Sequence, residues 1–403
     1  MQLRKLSSFL ILSILTYSCE TDTIETIAEI NHPNSILDPE TEQNSNSSSE
    51  TDTDTNNDIS LGAQNWIGAM QLENGLLEST ERSNFVSLYD NALSILFFTS
   101  EGEFTKAEKT LDYFNAKMET ELLNGSGGYY QFRNKEGENG NRTWLGDNAW
   151  LLIAINNYHF YAKNNKYQAM ANHLSTWIRS LQDIDGGLWG GKNADGTPIH
   201  KVTEGILTAF NAVEGYDDFH KNILRYLKNE RWEATENVLV AWPENPTYTY
   251  ALDLHSLAYG ILEAFDEDIL DNTSRYLNTQ IATVTTQEIT GYCFDEDKDV
   301  VWLEGTAQMA MAYKSAGSAT QAQELITQIE KTFINSSLHG NSNGVPYASN
   351  YATSFGSGML WDHADVTPAI SSTVWYLFAK QNFNPFTIGK NKNMPVSDRF
   401  WVQ

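Results

Sequence analysis

The sequence predicts an all-α fold: an (α/α)6 barrel of two concentric helix rings behind a disordered N-terminal tether. Three observations carry this. Six apolar stretches, each opened by an acid or a small polar residue, start at Asp90, Asp147, Glu204, Asp253, Glu304 and Ser371. They are apolar nearly all round, as in Leu151-Leu-Ile-Ala-Ile155, which is the pattern of a buried helix. Between most of them runs a second stretch with one apolar stripe and a polar back, the pattern of a helix half facing water.

The N-terminus comes first in chain order. Residues 1–19 pass from Met-Gln-Leu-Arg-Lys through an apolar run, Phe9 to Leu15, to Thr16-Tyr-Ser-Cys19. That is the order of a secretory signal peptide, and the run falls short of the roughly 20 apolar residues that span a bilayer. A cysteine after a small residue at the expected cut site resembles a bacterial lipobox. Cys19 is therefore the expected lipid attachment site, with an ordinary signal peptide as the alternative. The lipid would be the only contact with membrane and would hold the protein at a bacterial cell envelope, facing the periplasm or the cell surface. The other cysteine is Cys293, which acylation of Cys19 would leave without a disulfide partner. Residues 20–58 contain no Lys, Arg or aromatic residue and are rich in Ser, Thr, Asn, Asp and Glu. Such a chain cannot bury enough apolar surface to offset its ordering entropy, so it reads as a tether.

Residues 59–403 hold the function and are expected to be the barrel. A net charge of −26 excludes nucleic acid and anionic lipid surfaces as partners. There is no phosphate loop, no paired-cysteine motif and no His-Glu-x-x-His, so no cofactor and no metal are expected. Asp295-Glu-Asp-Lys-Asp299 alternates acids like the start of a calcium loop. Val300 stands where glycine is needed, however, and Thr306 where the twelfth-position Glu is needed. It reads instead as a solvated charged turn.

The outer ring is read from its stripes. Phe104, Ala107, Leu111, Phe114 and Met118 form one within 103–122, and Tyr167, Met170, Leu174, Trp177 and Leu181 another within 165–182. Ala322, Leu325, Ile329 and Phe333 form a third, and the stretch 61–72 with Trp66, Ile67 and Met70 supplies the remaining outer member. The inner stretches stop at turn signals such as Ser100-Glu-Gly102, Lys163-Asn-Asn165, Glu214-Gly215 and Ala316-Gly317. A helical solenoid is the structural rival, but its repeats are shorter and more uniform.

Together with this repeat order, Tyr89-Asp90-Asn-Ala-Leu93, Lys201-Val-Thr-Glu204, Trp302-Leu-Glu-Gly-Thr-Ala-Gln308 and Gly344-Val-Pro-Tyr-Ala-Ser349 resemble the six-hairpin glycosidase superfamily over roughly 60–386. No single family within it is singled out. The superfamily holds glycoside hydrolases, polysaccharide lyases, sugar epimerases and non-catalytic relatives, so the resemblance implies a fold and a carbohydrate substrate more firmly than a reaction. It also implies that the inner helices aim their N-termini at one end, where the cleft lies, and that hydrolysis would be inverting.

The residues themselves add a ring of acids, because five of the six inner stretches begin with one. Helix capping accounts for some. Glu304, inside Val300-Val-Trp-Leu-Glu-Gly, is less easily explained so. Buried together, some carboxyls are forced to keep their protons, which suits a general acid beside an ionised base. Glu204 and Glu304 lead as the catalytic pair, since each is followed by Gly, and Asp147 and Asp90 come next. Asp253 is more readily an orienting or binding residue, and His255 a binding residue or an epimerase-like acid/base. Aromatic residues in Gly- or Pro-containing loops, such as Tyr130, Trp189, Trp242 and Tyr347, and the tryptophans Trp144, Trp302 and Trp361 are the candidate sugar platforms. Some are expected only to fill the barrel mouth. A hydrolase is the leading expectation. A lyase or epimerase, and a glycan-binding lipoprotein without catalysis, stand beside it.

Overall fold

A computed structural model describes residues 52–360 and 365–402. The expected signal segment and Cys19, most of the tether, and Trp361 lie outside the described residues. Among the described residues, twelve helices in chain order build the rings. They are α1 (Asp52–Ala69), α2 (Leu88–Ser100), α3 (Phe104–Ala116), α4 (Leu145–Ala162), α5 (Gln168–Ser180), α6 (Thr203–Ala212), α7 (Asp218–Tyr226), α8 (Asp253–Ile261), α9 (Asp268–Asp271), α10 (Leu303–Ser315), α11 (Ala319–Glu330) and α12 (Ile370–Gln381). Each even-numbered helix packs against the next, and α12 returns to α2, so the inner ring closes. The odd-numbered helices pack outside it, α1 against α12 and α11 against both α10 and α12. The first helix starts at Asp52, inside the stretch read as tether. Among the described residues no helix is long and apolar enough to cross a membrane.

The inner helices are buried on nearly every side, as their composition requires: Leu145 to Ile155 of α4 are all buried. The outer ones bury only their stripe, as Met170, Ala171, Leu174, Trp177 and Ile178 do in α5. The fifth outer position departs from the pattern. There α9 is a single turn, and a hairpin of Leu277–Ile281 against Glu288–Tyr292 takes over. The cause is local, because the two strands carry the β-branched residues Thr279, Ile281, Ile289 and Thr290, which favour strand over helix.

Short antiparallel pairings set the inner helix starts side by side. Val86–Ser87 pairs with Phe132–Arg133 ahead of α2, and Thr143–Trp144 with Gly191–Lys192 ahead of α4. Ser87, Trp144, Val202, Trp302 and Ala369 are each extended immediately before an inner helix. One rim of the barrel therefore carries the acids.

The C-terminal chain closes the other end. The carbonyls of Pro385 and Phe386 accept hydrogen bonds from Asn157 and Asn211, and Lys392 Nζ donates to the Asn211 and Val213 carbonyls where α6 ends. A cation there complements the helix dipole. Arg399 Nη2 holds Glu263 at 2.6 Å beyond α8. Phe386 reaches up the barrel axis to lie 5.2 Å from Trp150 and 6.2 Å from Trp375, and it fills the space left by the missing side chain of Gly260. Phe386→Ala should therefore cost about 3–5 kcal/mol, read as a lower urea midpoint with unchanged slope.

Candidate active site

All five acids meet at the rim. Asp90, Asp147, Asp253 and Glu304 are buried and Glu204 is half-buried. Capping does not explain most of them. Among the inner helices only α2 has a side-chain cap, made by Ser87, while Asp253 bonds a backbone N–H at its own helix start. The others reach across. The Asp147 carboxyl accepts the Tyr89 N–H of the neighbouring helix start. Glu204 lies directly over Gly146, where a side chain would meet Glu204 Oε2 at 2.6 Å. Only glycine at 146 leaves room for that carboxylate beside Asp147.

Burial governs their protonation. It raises Asp90, helped down only by the Ser79 hydroxyl, to about 7. Asp253 rises to about 7 through burial and the nearby Glu204 charge. Asp147 stands well above the usual carboxylate range through burial and repulsion from Glu204, with Arg142 opposing. Glu204 is raised by burial, against donation from Thr208, whose hydroxyl is 2.9 Å from Oε1, and from Trp150. Glu304 goes highest among those with a value, to about 8, by burial and against hydrogen bonds that favour its anion. Tyr89 Oη donates to Glu304 Oε1 at 2.6 Å and accepts from Trp375 Nε1 at 2.8 Å. Asp147 Oδ2 and Asp253 Oδ1 are buried acceptors with no hydrogen-bond donor. Such oxygens are costly unless a ligand supplies donors.

The expected binding residues divide. His255 is not brought to the acids. Its Nδ1 lies 2.8 Å from the Ile269 carbonyl and its Nε2 3.3 Å from Tyr276 Oη, both in the outer layer, and burial depresses it to about 4. Two residues along a helix turn the side chain by about 200°, so Asp253 facing in sends His255 out. Trp302, two residues before Glu304, is buried against Phe294 at 4.7 Å and Tyr347 at 6.3 Å. Trp189 carries the Lys201 ammonium over its ring at 4.8 Å, and that lysine is held by Asp183 and Asp185. Tyr130 is packed against Gly140.

Trp144 is half-buried on the rim, with the Arg142 guanidinium over its ring and the His200 edge beside it. His200 stacks on Trp242 at 3.9 Å, and Trp242 stacks on Tyr248 at 5.5 Å on towards Phe355. These rings form a collar that mostly covers its own faces. The charged turn proves structural. Asp295 accepts from Gly356 N and Asp299 from Ser354 N, each at 2.7 Å, which pins the rim hairpin of Ser354–Phe355 and Gly358–Met359. Among the described residues no cluster of acids, histidines or cysteines could hold a metal. Reading the sequence missed Tyr89 and Trp375 as partners of Glu304, although Tyr89 precedes Asp90. It also missed Arg142.

No protein-family profile and no curated protein matches the sequence. Solved structures match its shape. A sugar epimerase from a ruminal bacterium aligns with a TM-score of 0.56 at 12% identity, covering 82% of this chain and 98% of that one. The fold is the six-hairpin (α/α)6 barrel. Cellobiose 2-epimerase from Bacillus thermoamylovorans aligns with this barrel at 0.55 and 12% identity, over 82% of this chain and 98% of its own. A glycosidase in complex with glucose aligns at 0.53 and 11%, over 80% and 95%. At such identity the likeness is one of fold.

Proposed function

We propose that this barrel is a glycoside hydrolase, with Glu304 as general acid and Glu204 as the base that activates water. The observation that carries it is the state of Glu304: a rim carboxyl pushed by burial to about 8 retains its proton at neutral pH. In the step, Glu304 gives that proton to the glycosidic oxygen. The anomeric carbon–oxygen bond breaks with its electron pair going to the leaving oxygen. Water adds from the opposite face, and its proton passes to Glu204, whose anion the Thr208 and Trp150 donors support against the burial that raises it. Attack from that face inverts the configuration, which requires the two acids to stand about 6.5–9.5 Å apart so that the water fits between. The bare oxygens of Asp147 and Asp253 would accept sugar hydroxyls. Asp90 would keep the rim charge high beside Glu304.

The likeness to an epimerase and a glycosidase supports a carbohydrate substrate, and the outward turn of His255 takes that residue out of an epimerase-like acid/base role. The test is a panel of neutral and acidic oligo- and polysaccharides, read for reducing-end release and for the identity of the sugars formed. Release that disappears in Glu304→Gln is expected. An epimerised product without release would overturn the hydrolase in favour of an epimerase, and binding without turnover would favour a glycan-binding role.

We also propose that the protein is held at a cell envelope through Cys19, on the strength of the 1–19 pattern. Labelled fatty acid should be incorporated on expression in a bacterium and lost in Cys19→Ser. Equal labelling of both would remove the anchor.

A further inference from the structure

The direction of the hydrogen bonds that reach Glu304 Oε1 follows from the chemistry of the partners, and the Ser371 hydroxyl is a further donor to the carboxyl. An indole nitrogen only donates. Trp375 Nε1 therefore donates to Tyr89 Oη at 2.8 Å, and the tyrosine hydrogen is left to point at Glu304 Oε1, 2.6 Å away. Gln308 Nε2 reaches the same oxygen at 3.2 Å, while Gln308 Oε1 lies 3.4 Å from Ser256 Oγ, whose hydrogen goes to the Asp253 carbonyl at 3.0 Å. Glu304 Oε1 thus receives two donors from two different helices, α2 and α10 itself. An oxygen engaged as a double acceptor is a poor seat for a proton.

We propose that Trp375, Tyr89 and Gln308 form a one-way relay that confines the acid proton of Glu304 to Oε2, making Tyr89 and Trp375 positioning residues for proton delivery. This deepens the reading of Glu304 as general acid and rests on it. The relay is built from residues far apart in the chain on helices α2, α10 and α12, so the closed ring is what assembles it. It has two consequences. The carboxyl can rotate its proton only by breaking both bonds to Oε1, so the acid is presented in one orientation to the glycosidic oxygen. The same donors also favour the anion left after transfer, which eases release of the proton once the acid is held.

The experiment reads the proton directly, without turnover. Infrared difference spectra of protein carrying carboxyl-labelled glutamate, with Glu304→Gln to assign the band, report the protonated Glu304 carbonyl and the pH at which it is lost. In the wild type the band is expected at low frequency, because its carbonyl oxygen accepts two hydrogen bonds. In Tyr89→Phe the band should move up and the acid constant fall about tenfold, since a donor to the anion is gone. Trp375→Phe should move both in the same direction by less, and it carries the test if Tyr89→Phe does not fold. An unchanged band and midpoint in either folded variant, or no protonated band at neutral pH in the wild type, would overturn the relay. A protein that shows the band shifts but releases no sugar would overturn the hydrolase alone. Where a substrate is cleaved, Tyr89→Phe should lower kcat, leave KM unchanged and move the alkaline limb of the kcat profile upward.

Discussion

Glu304→Gln is expected to slow cleavage of an unactivated glycoside about 10³-fold, the usual worth of a positioned general acid. The fold should survive the change. Glutamine is close in shape to the protonated carboxyl that burial maintains at neutral pH, and its amide still offers Oε1 as acceptor to Tyr89 and Gln308. A loss of activity with an unchanged melting temperature is therefore attributable to chemistry. The leaving group separates the two roles further. An aryl glycoside with an acidic phenol departs without protonation, so Glu304→Gln should recover most of its rate on that substrate. Glu204→Gln should not recover, because a missing base is needed whatever leaves. Equal losses on both substrates in both variants would refute the assignment of roles, and reversed losses would exchange them.

The acids were legible in the sequence because a helix start is a local signal. Asp90, Asp147, Glu204, Asp253 and Glu304 each open an apolar run, and six unevenly spaced runs already imply a closed double ring. What they do to one another was not legible. The contact of Glu204 with Gly146, and of Tyr89 with Glu304, joins residues that meet only when the ring closes. His255 could have been placed from the sequence, since two residues from an inward Asp253 on a helix is outward. The aromatic platforms were harder. A tryptophan beside glycine or proline looks open in a sequence, yet Trp189 lies under Lys201 and Trp242 between His200 and Tyr248. No periodicity links those partners. The plug formed by Phe386 and Lys392 was invisible for the same reason, as its contacts are with helices that end far earlier in the chain.

Asp90→Asn should make the protein more stable, and increasingly so as the pH rises. Asp90 has a folded value of about 7 against an ordinary 3.8, raised by burial. The folded state thus binds this proton more tightly than the unfolded state does. Its contribution is fully present below about pH 4 and is lost as the pH rises through about 7, where the carboxyl must ionise in place. The loss approaches about 4 kcal/mol at its limit, since a tenfold difference in proton affinity between the two states is worth about 1.4 kcal/mol. Asparagine carries no charge to bury, so the variant should match the wild type near pH 4, gain through neutrality and level off above pH 8. Chemical denaturation at a series of pH values measures this, and a gain that is constant with pH would contradict the burial of an ionisable Asp90. The neighbours sharpen the test, because the Asp90 charge also raises Asp147 and Glu304. Removing it should draw the alkaline limb of activity downward, opposite to the shift expected for Tyr89→Phe. A protein that is stabilised at pH 8 yet less active there would show that the crowding of these carboxyls is kept for the proton it retains on Glu304, at the expense of stability.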